Sequence, residues 1–90
     1  MHTKIKKMID DNPSRVVGLK QVLKGIIDDT IWCVIVSSDS DEFIKSRIAE
    51  SVKEKAAVLV ENIDSKEALG GLVGIDVPAA VVGLIKISQK

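Results

Sequence analysis

Apolar positions along this chain follow two spacings that alternate. Between residues 19 and 27 they fall at Leu19, Val22, Leu23, Ile26 and Ile27. These are steps of i, i+3, i+4, i+7 and i+8, which predict a helix with one apolar face. From Ile31 to Val36 the apolar run is unbroken, the pattern of a strand buried on both sides. Upstream, Met1 to Asp11 reads as a short helix with Ile5, Met8 and Ile9 on one side and Lys4, Lys6 and Lys7 outside. Asn12-Pro13-Ser14 stops it, because the residue before a proline is steered away from helix. Arg15-Val16-Val17 is then a very short strand ending at Gly18. This glycine permits a tight strand-to-helix turn or a close approach of a ligand to the backbone.

The helix from Leu19 runs to about Asp28, with Gly25 a weakness inside it. Asp28 and Asp29 are odd at a helix C-terminus, where the macrodipole favours cations. After the polar stretch Ser37 to Asp41, a helix is expected to about Lys55, with Phe43, Ile44, Ile48 and Val52 inward. Asp39 and Glu42 stand at capping-box spacing before it. Ala57 to Ile63 is a further strand. Asp64 or Ser65 caps a short helix through Val73, and Gly74 supplies a left-handed residue to end it. Ile75-Asp76-Val77-Pro78 forms a loop, and Ala79 to Ile87 the last strand. The order α-β-α-β-α-β-α-β predicts an α/β class chain folded as one domain over residues 1–90, a three-layer α/β/α sandwich with four strands. Strand order and direction do not follow from periodicity.

Composition narrows the core and the chemistry. Hydrophobic residues are 46% and charged residues 29%, the profile of an ordinary soluble globular protein. Trp32 and Phe43 are the only aromatics, so the core must be aliphatic. That counts against a sheet of stacking aromatics of the kind that reads single-stranded RNA. Thirteen basic and 13 acidic residues give zero net charge, which excludes nucleic-acid binding by bulk charge and leaves a local patch as the alternative. The single cysteine, Cys33, lies inside an apolar run, so a disulfide framework and a cysteine metal site are both excluded. With neither an N-terminal apolar leader nor an apolar run of about 18 residues, a cytoplasmic chain that does not span a membrane is expected.

Enzymatic readings fare poorly. The one histidine, His2, sits at the N-terminus, and Cys33 has no base beside it, so a Cys–His nucleophile pair is not expected. Gly70-Gly71-Leu72-Val73-Gly74 lacks the spacings of a phosphate-binding loop. Packing of a helix against the sheet explains Gly70 or Gly71 better. No metal-ligand cluster is visible, and no cofactor is expected.

Two features ask for another account. Lys20, Gln21 and Lys24 share about 100° of helix arc opposite the apolar face. They lie in the first two turns, where free N–H groups and the macrodipole favour an anion. The second feature is Ile75, Val77 and Pro78, apolar residues in a loop, where polar ones are usual.

Together these features resemble the kink-turn-binding ribosomal protein family. It comprises the large-subunit proteins seven-A-e and thirty-e, the box C/D core protein and small bacterial homologues. The resemblance spans Val16 to Ile85 and rests on three motifs. Gly18-Leu19-Lys20-Gln21-Val22-Leu23-Lys24 matches a strand ending in Gly followed by Thr-Asn-Glu-x-x-Lys. Val34 to Asp41 matches an apolar strand with an acidic turn. Leu69-Gly70-Gly71-Leu72-Val73-Gly74-Ile75, continuing to Ala80, matches the Leu-Gly-x-x-x-Gly segment before a small-residue strand.

The resemblance implies a mixed four-stranded sheet and a kink-turn ligand, a bent RNA with tandem sheared G·A pairs beside a bulge, in ribosomal RNA or a riboswitch. It implies that Gly18, Leu19, Lys20, Gln21 and Lys24 meet the G·A pairs and nearby backbone. Ile75, Asp76, Val77 and Pro78 would cover an extruded bulge base, and Asp41 and Lys66 would add contacts. It also implies a monomer, with the ribosome as a possible partner. The alternative, favoured by the zero net charge, is a protein-interaction or structural module of the same fold that has lost significant RNA affinity. Lys20 and Gln21 stand where larger members have Asn and Glu, and the pair is similar to that of the small bacterial homologues. Gln keeps an acceptor for guanine N–H groups but loses the charge that strengthens such a bond about two-fold, so weaker binding is expected. Leu19 in place of Thr removes a hydroxyl.

Overall fold

The computed structural model describes residues 3–55 and 57–86. In chain order the elements are α1 (Thr3–Asp11), β1 (Arg15–Val17), α2 (Leu19–Ile27), β2 (Ile31–Ser37), α3 (Glu42–Val52), β3 (Leu59–Ile63), α4 (Lys66–Leu72) and β4 (Val81–Ile85). The four strands form one sheet in the order β1-β4-β2-β3. β4 is antiparallel to both of its neighbours, and β2 is parallel to β3. The sheet is therefore mixed, and β1, β2 and β3 all run one way while β4 runs the other.

The unbroken apolar run of β2 lies at the centre beside β4, as continuous hydrophobicity requires. Cys33, Val34 and Ile35 of β2 are fully buried, as are Val81, Val82 and Leu84 of β4. One face of the sheet packs Ile5 and Ile9 of α1 and Leu69 of α4 against Cys33, Ile35, Val82 and Leu84. The other packs Val22 and Ile26 of α2 and Ile48 of α3 against Ile31, Val34, Val36 and Val81. This is the expected three-layer sandwich. Ile31 and Val34 share a face although they stand an odd three positions apart, because the β2–β4 register shifts between Ile31 and Cys33. An extra residue at that point turns Ile31 to the α2 side.

Several local expectations change. β3 starts at Leu59 and β4 at Val81, two residues later than the apolar runs suggest, and α3 stops at Val52 rather than near Lys55. Met1, His2 and Ile87 lie outside the described residues. Phe43 does not face the core: it is 62% exposed, with the Arg47 guanidinium 5.7 Å from its ring centre. Ile44, Ile48 and Val52 form a straight i, i+4 row, and Phe43 lies about 100° off it. Ile27 is 69% exposed, because α2 turns Gly25 to the sheet instead. A side chain at Gly25 would collide with Ile31.

Of the two acidic residues that end α2, Asp29 has a structural explanation. Asp28 is the C-cap residue, and Asp29 takes the left-handed conformation at φ 62°, which Asp tolerates better than most residues. Thr30 N–H donates to the Gly25 carbonyl at 2.9 Å and Asp29 N–H to that of Ile26 at 3.2 Å, the paired bonds of a Schellman ending. The Asp29 carboxylate accepts from Lys55 Nζ at 2.9 Å, tying the α2–β2 turn to the segment after α3.

That bond and the lysine charge hold the Asp29 carboxyl below its ordinary value of 3.8. A carboxyl with a lower pKa in the folded state stabilises the fold above the unfolded value and loses that contribution as pH falls through the folded one. Lys55→Met should therefore be less stable than wild type at neutral pH. The two denaturation curves should converge as pH falls through the acid range below 3.8.

Candidate functional site

The strand directions decide where the chemistry gathers. The C-terminal ends of β1, β2 and β3 and the start of β4 all lie at one end of the sheet. The starts of α2, α3 and α4 follow those strand ends, so three helix N-termini gather at the same end. The loop over residues 73–80 joins them from α4. Such a convergence is where open α/β sheets ordinarily bind ligands.

Gly18 makes the turn from β1 into α2. Its φ of 104° and ψ of 150° fall in a region that only glycine enters without strain. A Cβ there would meet nothing within 4 Å, so conformation rather than crowding demands the glycine. Gly18 N–H donates to the Val81 carbonyl at 3.0 Å, binding the start of α2 to the start of β4. No side chain caps α2, so its first-turn N–H groups remain available to an anion. Lys20, Gln21 and Lys24 are exposed, whereas Leu19 is half-buried and packs on the core beside Val22. What Leu19 offers outward is its backbone. Beside this face Gln21, Lys24 and Asp28 line, with Val16, Thr30 and Ile85, a recess of about 190 Å³.

α4 ends in a second Schellman arrangement. Ile75 N–H donates to Gly70 at 3.1 Å and Gly74 N–H to Gly71 at 3.2 Å, with Gly74 at φ 79°. The loop then folds back over α4. A Cβ on Gly70 would strike the Val77 carbonyl, so the glycine serves the loop and not, as its sequence context suggests, packing against the sheet. Ala79 N–H donates to the Lys66 carbonyl at 2.9 Å, pinning the other end. Ile75 is half-buried against the core of the α1/α4 layer. Asp76 and Pro78 are exposed, and Val77, at 61% exposure, is the apolar tip.

The acidic turn behaves differently from its spacing. Asp39 does not cap α3; its carboxylate accepts from Lys66 N–H at 3.0 Å and caps α4, 27 residues away. Ser65 Oγ accepts from Ala68 N–H at 3.1 Å on the same helix. The turn holding Asp39 is locked by the buried hydroxyls of Ser37 and Ser40, 3.0 Å apart. Asp41 is the N-cap residue of α3, exposed, with no side-chain capping bond. Lys66 opens α4 and is half-buried.

Gly18, Leu19, Lys20, Gln21, Asp41, Lys66, Ile75, Asp76, Val77 and Pro78 therefore lie at one end of the sheet, with Lys24 one turn further along α2. Asp28 and Asp39 are the charged neighbours that motif reading missed. An i+4 step from Lys24 was the available signal for Asp28, and nothing local signals the bond of Asp39 to α4.

A nucleophile is not part of this site. Cys33 is buried in β2, and burial, reinforced by the charge of Glu61, pushes its thiol up to about 11. Among the described residues no cluster of His, Cys, Asp and Glu could hold a metal ion. No helix among them is long and apolar enough to cross a membrane.

Comparison with known proteins identifies the family. The model of the Ribosomal protein L7Ae/L30e/S12e/Gadd45 family matches residues 1–90, and the chain belongs to that family. A relative from Caldanaerobacter subterraneus subsp. tengcongensis, named an RNA-binding protein, is 40% identical over 68 residues, covering 76% of this chain and 82% of its own. One from Staphylococcus aureus with the same name is 38% identical over 71 residues, 79% of this chain and 83% of its own. Among solved structures, the Giardia lamblia 15.5kD RNA binding protein superposes with a TM-score of 0.86 at 22% identity, over 96% of this chain and 74% of that one. A Bacillus halodurans protein of unknown function gives 0.74, also at 22% identity, over 80% and 71%. At that identity both speak for the fold.

The two neighbouring glycines of α4 separate loop placement from helix stability. Gly70→Ala should displace the loop at 75–78 and cost about 1–3 kcal/mol, the usual penalty of overpacking. Gly71→Ala meets nothing within 4 Å and should be neutral or gain about 0.5–1 kcal/mol of helix preference. Urea unfolding of both variants, with amide chemical shifts at residues 75–78, checks the contrast.

Proposed function

We propose that this chain is a non-catalytic RNA-binding protein whose ligand is a kink-turn. One observation carries the reading: an uncapped, cationic helix start is bonded through Gly18 to the strand that follows the Ile75–Pro78 loop. An RNA held there would meet N–H groups and lysines on one side and an apolar loop on the other. Its family and the RNA-binding names of its relatives support the RNA-binding part of this reading.

The physics suits a bent RNA. Regular A-form RNA hides its deep groove from side chains, while a kink with a bulge exposes base edges and frees a nucleotide. Lys20, Lys24 and the first-turn amides of α2 attract phosphate, and Gln21 offers an amide oxygen to guanine N–H groups. Val77 and Pro78 cover the freed base. Phosphate contacts position the protein, and the G·A edges specify the site. With zero net charge, affinity comes from this local patch, and Gln21 in place of a carboxylate makes the grip a modest one. The protein acts as a cytoplasmic monomer on ribosomal RNA or a riboswitch.

The test is a titration at stated salt with a standard kink-turn and a control lacking its G·A pairs. Wild type should prefer the kink-turn, and equal or absent binding to both would overturn the reading. Gln21→Ala should reduce the preference by about 1–3 kcal/mol. Lys24→Ala should weaken binding and flatten its salt dependence by about one unit of slope.

A further inference from the structure

Of the three lysines assigned to the RNA face, Lys24 is the one with an ion-pair partner among the described residues. Its Nζ lies 3.0 Å from Asp28 Oδ2, while no ion pair joins Lys20 or Lys66 among the described residues. Side chains on a helix lean toward its N-terminus, which for Lys24 is the direction of Gly18 and Lys20. Asp28 lies one turn the other way and draws the ammonium back from that end.

Helix physics gives Asp28 little structural reason to be there. It stands at the negative end of the α2 macrodipole, where a carboxylate is unfavourable. The pair also has the lysine on the N-terminal side, the weaker order for an i,i+4 ion pair. Asp28 and Lys24 remain about half and three-quarters exposed, so the bond is weak enough for a phosphate to displace.

We propose that Asp28 is an internal counter-ion of the RNA face: it competes with RNA phosphate for Lys24 and so sets the affinity and salt sensitivity of binding. This rests on the RNA-binding reading above. A weak or transient phosphate contact does not displace the carboxylate. Only an RNA that also engages Gln21 and the Val77 loop holds its phosphate there long enough to do so. Asp28 thus acts through Lys24 as a positioning residue that lowers affinity for any RNA that places a phosphate there.

The experiment compares wild type, Asp28→Asn, Lys24→Ala and the double variant in kink-turn titrations over a salt series. Asp10→Asn serves as a charge-matched control. It frees Lys6 from an equivalent i,i+4 pair in the helix layer on the opposite face of the sheet. Asp28→Asn should bind roughly three-fold tighter, as expected for losing an exposed ion pair, and its salt dependence should steepen by up to about one unit. The gain should be at least as large on the kink-turn as on the control RNA without G·A pairs, and it should vanish in the Lys24→Ala background. Asp10→Asn should bind like wild type. An unchanged Asp28→Asn, or an equal gain without Lys24 or from Asp10→Asn, would overturn the proposal while leaving the RNA reading intact. Failure of wild type to distinguish the two RNAs would instead overturn the RNA reading, and the role of Asp28 with it.

Discussion

The insertion of β4 between β1 and β2 is the constraint on which the rest of this molecule depends. β4 is the last element of the sheet in the chain and one of its two central strands. Val81, Val82 and Leu84 are fully buried, and each such aliphatic side chain contributes about 1.5–3 kcal/mol on leaving water. Because β4 runs antiparallel to both neighbours, its start lies where β1 and β2 end. The Gly18–Val81 bond then joins two segments more than sixty residues apart. Without that strand placement, the helix start and the apolar loop would be unrelated surface features.

Around this frame the helix starts are treated unequally: α2 and α3 lack a side-chain cap, and α4 has two. α4 is capped twice, by Ser65 within its own sequence and by Asp39 from the turn after β2. α2 begins at a glycine with no capping side chain. A helix start left with open N–H groups forgoes about 1 kcal/mol of capping stability. Here it lies beside two lysines. At the opposite end of α2, an acidic pair is tied off by Lys24 and Lys55. The helix is thus polarised beyond its own dipole, open at one end and internally neutralised at the other.

Much of the fold could be read along the chain. The continuous run of β2 announced a strand buried on both sides, and the spacing of Val22 and Ile26 announced the inward face of α2. The glycine turn at 18 and the loop at 75–78 were visible as oddities of composition. Where the reading failed, a contact distant in sequence was responsible. Asp39 stands at capping distance from Glu42, yet the fold brings α4 to its carboxylate instead. Gly70 was legible as a packing glycine but not as the seat of the Val77 carbonyl. Phe43 looked like a core residue because hydrophobicity carries no direction; the row of Ile44, Ile48 and Val52 left it outside.

The amino-acid sequence by itself determined the alternation of helices and strands, the aliphatic core, the glycine between β1 and α2 and the cationic face at the start of α2. These depend on neighbours within a few residues, where side-chain spacing and backbone sterics act directly. Only the tertiary structure decided the strand order β1-β4-β2-β3 and, through it, the meeting of α2 with the loop before β4. Pairing among strands is a competition between surfaces remote in sequence, and periodicity does not say which edge meets which. The tertiary fold likewise assigned Asp39 to α4 and Val77 to Gly70, because both contacts require elements that approach only after the sheet has formed.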